Sequence, residues 1–279
     1  MKKVIVILLT AALLLSIIGC KKAGNKKLTV AMSPDFAPME FVDTSKSGQE
    51  QYVGFDVTLA NFLADELGME LEIKPMSFDA CMTAVQLGSV DMAISGFSWK
   101  PDRAENFLLS DYYIAGDNET QQSVITVKAK ENTCKTQADF SGWKVGAQAS
   151  SLQEQLVKDE LIPAGAELVV YKSIDDAVLA LQTGKIDALA VAHGNGEAII
   201  ANNPDLAFTG FDFDVDPKYE NNVILLNKSN TEMLEKVNKV LAKAMAAGVY
   251  DGWYEDAKAL AGIPTAADVS YDDDGKPVS

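Results

Sequence analysis

The chain has 279 residues, 40 acidic against 24 basic side chains, a formal charge of −16 and a single histidine. That balance excludes a nucleic-acid binder that tracks phosphates, which needs clustered Lys and Arg. One histidine and three scattered cysteines (Cys20, Cys81, Cys134) leave no multi-histidine or thiolate metal centre and no disulfide framework, so neither metal nor cofactor is expected. Apolar content of 48% with 23% charged residues is globular, and the length suits two domains.

Lys2 and Lys3 precede an apolar run from Val4 to Ile18 broken only by Thr10 and Ser16. The run is shorter than the ~20 residues a spanning helix needs and reads as a secretory signal over residues 1–19. It ends Ile17-Ile18-Gly19-Cys20, which resembles a bacterial lipobox. That resemblance implies cleavage before Cys20, acylation of its thiol (a palmitate-type anchor) and a lipidated linker over 20–27. The expected location is the extracytoplasmic face of the cell membrane. Cys81 falls in an amphipathic stretch and Cys134 in a polar loop, and two free thiols are expected of them.

The next elements form a repeat. Sliding the chain by 96 positions lays Ala84-Val-Gln-Leu-Gly-Ser-Val-Asp91 over Ala180-Leu-Gln-Thr-Gly-Lys-Ile-Asp187. Each copy has a helical apolar spacing, a glycine stop and a buried-strand run (90–94 and 186–191). Each also has an earlier β-like opening, Leu28 to Met32 and Trp143 to Ala147. Strands alternating with helices predict a mostly parallel sheet in each half. The reading is α/β: lobe 1 over 28–117 and 223–264, lobe 2 over 123–218.

The piece after lobe 2 opens with the β-prone run Val223 to Leu226. A helix follows, with Ser229-x-x-Glu232 as its capping box, Leu234, Val237, Leu241, Ala244 and Met245 as apolar positions, and Gly248 as the stop. It is too short to fold alone and is expected to dock on lobe 1. The chain then crosses between lobes twice, which makes a hinge and a cleft. Ligands of open α/β sheets sit beyond the carboxyl ends of strands, singling out the loops after Met32, Ile94, Ala147 and Val191. The acidic tail 265–279 has no apolar period and is expected to be disordered.

Those loops carry a constellation. Ser33-Pro-Asp-Phe-Ala-Pro-Met-Glu-Phe41, Tyr52-Val-Gly-Phe-Asp-Val57 and Lys74-Pro-Met-Ser-Phe78 come first. Ile94-Ser-Gly-Phe-Ser-Trp-Lys-Pro-Asp-Arg103, Val145-Gly-Ala-Gln-Ala-Ser-Ser-Leu-Gln-Glu154 and Lys185-Ile-Asp-Ala188 follow. In series they resemble the polar-amino-acid receptors of ABC importers, family 3 of the bacterial solute-binding proteins, over roughly residues 28 to 262. The resemblance implies the two-lobed periplasmic binding protein type II architecture. It further implies a monomer that closes on a small zwitterion and presents it to a membrane permease.

Position by position, the resemblance makes Arg103 the clamp of the ligand carboxylate, a task suited to a planar guanidinium fork. Ser98 is the second carboxylate donor in the same loop, with Ser95 and the Gly96 carbonyl counted among the contacts. Ser150 and Ser151 reach the carboxylate from lobe 2 on closure and are expected to open a helix. Phe36 and Phe78 are the aromatic walls. Phe97 reads as core, and Trp99 is left open.

Two positions depart from the family pattern. The acid expected three residues before Phe36 is Ser33, and the acid expected five residues after Asp187 is Ala192, with His193 beside it. Asp35, Glu40 or Glu197 are alternative partners for a ligand ammonium, and so is a ligand that lacks one. His193 is expected to touch ligand or to satisfy its own loop. Asp212-x-Asp214-x-Asp216 has Pro217 and Val223 where a calcium loop needs Gly and Glu, and reads as a solvated turn. No paired general acid and base is evident, so no enzyme is expected; an enzyme of dehydratase or lyase type on the same scaffold and a ligand-sensing input module are the alternatives.

Overall fold

The structure is a computed structural model describing residues 26–113, 121–219, 221–265, 270–271 and 277–278. The signal, Cys20, most of the linker, the first crossing at 114–120 and most of the tail lie outside the described residues.

Each repeat copy builds a sheet. In the first, β1 (Lys27–Met32) lies between β5 (Glu70–Pro75) and β6 (Met92–Ala93), both parallel to it. In the second, β9 (Lys144–Gln148) lies between β10 (Glu167–Tyr171) and β11 (Ala188–Ala192), again both parallel. One strand of each sheet runs antiparallel to the other four. β13 (Leu225–Leu226) pairs β6 and β7 (Leu108–Leu109), and β8 (Gln122–Val127) pairs β11 and β12 (Leu206–Asp212). Both sheets are therefore mixed, a correction to the mostly parallel expectation. The reversed strand of each sheet, β13 or β8, is the first strand in the chain after a crossing from the other lobe. A small sheet of β2 (Asp35–Phe36), β3 (Glu40–Val42) and β4 (Tyr52–Val53) completes the strands of lobe 1.

The repeat has a structural reason. Asp91 Oδ2 accepts hydrogen bonds from the Thr29 N–H (2.8 Å) and hydroxyl (2.6 Å), fastening the third strand segment to the first. Asp187 does the same in lobe 2, accepting from the Lys144 N–H at 3.0 Å. An acid at the start of the third strand thus ties the parallel register in both lobes.

Helices cover both faces. On lobe 1, α1 (Phe55–Leu67) buries Phe55, Leu59 and Leu63, and α2 (Phe78–Gln86) buries Phe78, Cys81 and Val85. Each such aliphatic or aromatic burial stabilises by about 1.5–3 kcal/mol. On lobe 2, α4 (Leu152–Leu156, continued as a π-helical turn over Val157–Leu161) packs one face, and α5 (Ile174–Gln182) with α6 (His193–Asn202) the other. The short α3 (Pro101–Asn106) starts with proline at N1, where no N–H is needed.

The last two helices, α7 (Thr231–Ala247) and α8 (Tyr250–Leu260), dock on lobe 1, where Val237, Leu241, Tyr250 and Tyr254 join the core around Phe55. α7 ends at Gly248 in the left-handed conformation. Its expected capping box does not form. The Ser229 hydroxyl donates to Asn227 Oδ1 in a local turn, the helix starts two residues later behind Asn230, and Glu232 pairs with Lys236. Met245, expected on the apolar face, is half exposed, and Met233 and Val240 take its place. In the tail, Ser270–Tyr271 pairs with Pro277–Val278 as a small hairpin where no order was expected. Cys81 and Cys134 are free thiols buried in the cores of different lobes.

Candidate functional site

The loop after β6 is built on two buried carboxylates. Gly96 N–H donates to Asp56 Oδ2 at 2.8 Å, and the Tyr113 hydroxyl donates to the same oxygen at 3.1 Å. The Ser95 hydroxyl donates to Glu40 Oε1 and accepts the Ser33 N–H at 2.9 Å. Burial pushes the Asp56 carboxyl up to about 7, and burial together with the Asp56 charge holds Glu40 well above the usual carboxylate range. At neutral pH the pair retains a proton, because two desolvated carboxylates cannot both ionise at contact. Gly96 is required where it stands. Its φ is +54°, and an added Cβ would lie 2.7 Å from the Phe36 ring.

Loop 97–99 is then strapped by the second crossing. Val223 N–H donates to the Phe97 carbonyl (2.8 Å) and Trp99 N–H to the Asn221 carbonyl (3.2 Å). The hinge segment and the site loop are thus one hydrogen-bonded unit. Trp99, left open from the sequence, stacks on Tyr219 at 6.5 Å, and Phe97 is fully buried.

Arg103, on α3, projects into the cleft although only 2% exposed. Its guanidinium lies 5.5 Å from the Phe78 centroid and 5.3 Å from that of Phe97, over two rings stacked at 4.5 Å. Nη1 donates to the Ser98 carbonyl, and Nη2 crosses to lobe 2, donating to the Ser150 carbonyl at 3.0 Å. Carbonyl dipoles and ring faces offset the desolvation of a charge that never titrates. Lys100 is also buried, and burial plus the Arg103 charge push its ammonium down.

Between the lobes lies a cavity of about 20 Å3, room for about one water molecule. Phe36, Phe78, Gly96, Ser98 and Arg103 line it from lobe 1, and Gln148, Ser151, Leu152 and Gln153 from lobe 2. Six residues expected at a ligand, Arg103, Ser98, Gly96, Phe36, Phe78 and Ser151, are thus brought together. Ser150 meets the same place through its carbonyl, in a left-handed conformation (φ +64°). The Ser151 hydroxyl donates to the Gln148 carbonyl (2.7 Å) and accepts the Glu154 N–H (3.0 Å), capping α4 as expected of a helix opener.

Three expected residues are placed elsewhere. Ser95 lies beneath the loop, its hydroxyl committed to Glu40 and Ser33. Ala192 is buried at the end of β11, paired with Gln122. His193 turns back into lobe 2: its Nδ1 is 2.9 Å from the Ser123 hydroxyl, its ring stacks on Phe208 at 4.6 Å, and Nε2 is 3.8 Å from Glu197. Neither Ala192 nor His193 lines the cavity: Ala192 is the last residue of β11 and His193 the first of α6. The acidic turn is tied to β8, Asp212 accepting from the Ser123 hydroxyl (2.6 Å), and Asp216 pairs locally with Lys218.

The sequence reading missed Gln148 and Gln153. Gln148 ends β9, so the strand-end rule could have found it; Gln153, bonded to Gln122, carried no such signal. A roomier groove of about 570 Å3 lies between lobe 2 (Lys128, Glu197, Phe208) and the end of the lobe 1 segment at Gly262 to Pro264, but neither Arg103 nor an aromatic wall of the cleft lines it.

This geometry has relatives. The profile of the bacterial extracellular solute-binding proteins, family 3, matches residues 28–256. The arginine-binding extracellular protein ArtP of Bacillus subtilis (strain 168) is 28% identical over 247 residues, covering 86% of this chain and 92% of that protein. The crystal structure of the amino acid ABC transporter substrate-binding protein AbpA from Streptococcus pneumoniae Canada MDR_19A bound to L-arginine aligns at TM-score 0.77. It is 35% identical and covers 89% of this chain and 100% of that one. An ancestral arginine-binding protein bound to glutamine aligns at 0.73 with 32% identity, covering 82% and 96%. With the match spanning both lobes and the cleft between them, the chain belongs to family 3 of the bacterial extracellular solute-binding proteins, in the type II periplasmic binding fold.

Proposed function

We propose that the protein is the lipid-anchored receptor of an ABC importer and that it captures a polar amino acid by closing its lobes. The observation that carries this reading is Arg103, a buried guanidinium on lobe 1 whose fork already reaches a lobe 2 carbonyl across the shared cavity. A ligand carboxylate outcompetes that neutral carbonyl, since charge-assisted bidentate bonds are about twice as strong. Phe36 and Phe78 offer ring faces to the ligand side chain, and Gln148 and Gln153 offer amides of either polarity. A cavity of this size admits an amino acid only when the lobes part, which the two-crossing connection allows.

The relatives that bind arginine and glutamine favour an L-amino acid. A thermal-shift panel of L-amino acids tests this: at one hundred times Kd a true ligand adds about 2.7 kcal/mol of stability. No shift with any of them, or an unchanged shift in Arg103→Ala, would overturn the reading. The anchor has its own test. Labelled palmitate is expected on the wild-type protein in a bacterial host and not on Cys20→Ala, which should appear in the medium.

A further inference from the structure

We propose that Asp35 is a positioning residue for closure, a lobe 1 carboxylate that docks on the first backbone N–H of a lobe 2 helix and holds the lobes together through a contact no ligand supplies. Asp35 precedes the cavity wall Phe36 on β2 and is half-buried. Its Oδ2 accepts the Ile174 N–H at 2.8 Å, across 139 residues of chain. Both oxygens lie 3.4 Å from the Gln148 amide nitrogen, and Oδ1 accepts the Ser33 hydroxyl at 2.9 Å.

Ile174 is the first residue of α5, and the N–H there has no partner within its own helix. The N-cap Ser173 hydroxyl accepts the Asp175 N–H and also bonds the Asp35 carboxylate. The Ile174 donor is therefore satisfied from the other lobe, at the end of the helix that favours a negative charge. The lobes are also joined by Arg103 on the Ser150 carbonyl and by the Asn195 amide on the Ala37 carbonyl at 2.9 Å. The Arg103 bond is surrendered to a ligand carboxylate on binding. The Asp35 bond is not: Asp35 does not itself line the cavity, and its carboxylate is held by the Ile174 N–H, the Gln148 amide and the Ser33 hydroxyl. The acid displaced by two positions from Ser33 thus serves the protein rather than a ligand ammonium.

The inference rests on the reading of two lobes that open and close, and its test uses the protein with no amino acid added, so it stands or falls apart from ligand identity. Amide hydrogen exchange and small-angle scattering are measured on wild type, Asp35→Ala, Asp35→Asn and Ile174→Pro. Proline suits the first helical position and Ser173 is already extended (φ −120°, ψ 141°), so Ile174→Pro deletes the donor without breaking α5. In wild type the Ile174 amide should exchange at least tenfold slower than a free helix N-terminus. Asp35→Ala should abolish that protection and enlarge the radius of gyration, with core amides such as Val30 and Val145 still protected. Asp35→Asn, which keeps an acceptor, should retain most of the closure. Ile174→Pro, which leaves Asp35 the Gln148 amide, should open the cleft measurably but no further than Asp35→Ala, and the two together no further than Asp35→Ala alone. Should Asp35→Ala fail to fold, Ile174→Pro alone carries the test. An unprotected Ile174 amide in wild type, or an unchanged radius in Ile174→Pro, overturns the proposal.

Discussion

The two lobes share a strand order and a repeat but equip the cleft in opposite ways. Lobe 1 brings side chains: Phe36 on β2, Phe78 on α2, and Ser98 and Arg103 on and just after a loop pinned from below by Glu40 and Asp56 and from the side by the second crossing. Lobe 2 brings the Ser150 carbonyl, the Ser151 cap and two amides, all at the start of a short helix. The charged partner is thus fixed before closure, and the lobe that arrives later contributes neutral groups that adapt. Such a division costs little reorganisation when the ligand binds, since the desolvation of Arg103 has occurred during folding.

The sharpest break of this comparison is at Arg103. Arg103→Ala should lower affinity at least a thousandfold, and Arg103→Lys about a hundredfold, since a point charge cannot form two parallel bonds; calorimetric titration checks both. Next is Gly96→Ala, which strains a left-handed backbone and presses a methyl on Phe36. It should cost about 1–3 kcal/mol of lobe 1 stability and weaken binding tenfold or more, with lobe 2 exchange unaltered.

The buried carboxylates make a prediction about pH. Asp56 is raised from its ordinary 3.8 to about 7 by burial, so the folded lobe holds a proton that the unfolded chain releases. That stabilisation is complete below about pH 4 and is lost as the pH climbs to about 7, at up to ~1.4 kcal/mol per unit. Glu40→Gln removes one ionisable partner, so its melting temperature should gain on wild type between pH 5 and 7. A constant difference across that range would mean that the pair does not hold a proton. The smallest effect is expected at Ser151→Ala, about 1 kcal/mol from the lost cap, seen in lobe 2 alone.

Much of this division was legible before any coordinates. The repeat registers Asp91 and Asp187 because the same register tie is needed twice, and strand ends mark the loops where Arg103, Ser98, Phe36 and Phe78 stand. What escaped depends on partners far along the chain. Asp35 meets Ile174 only after two lobes have formed, and Glu40 meets Asp56 and Ser95 only inside lobe 1. His193 and Ala192 stand outside the cavity lining for a related reason: α6 follows β11 directly, and the His193 ring is engaged by Ser123 and Phe208 of its own lobe. Ser229 failed as a cap because Asn227 competes for its hydroxyl, a local contest that the spacing of Ser and Glu does not register.

The central claim is that one lobe anchors and the other closes, with the anchor a single guanidinium. Calorimetric titration of Arg103→Ala and His193→Ala with the L-amino acid selected by the thermal-shift panel tests it most directly. Binding heat should vanish in Arg103→Ala, and His193→Ala should bind within about twofold of wild type, its ring being turned into lobe 2. Retained binding in Arg103→Ala, or loss of binding in a folded His193→Ala, would contradict it.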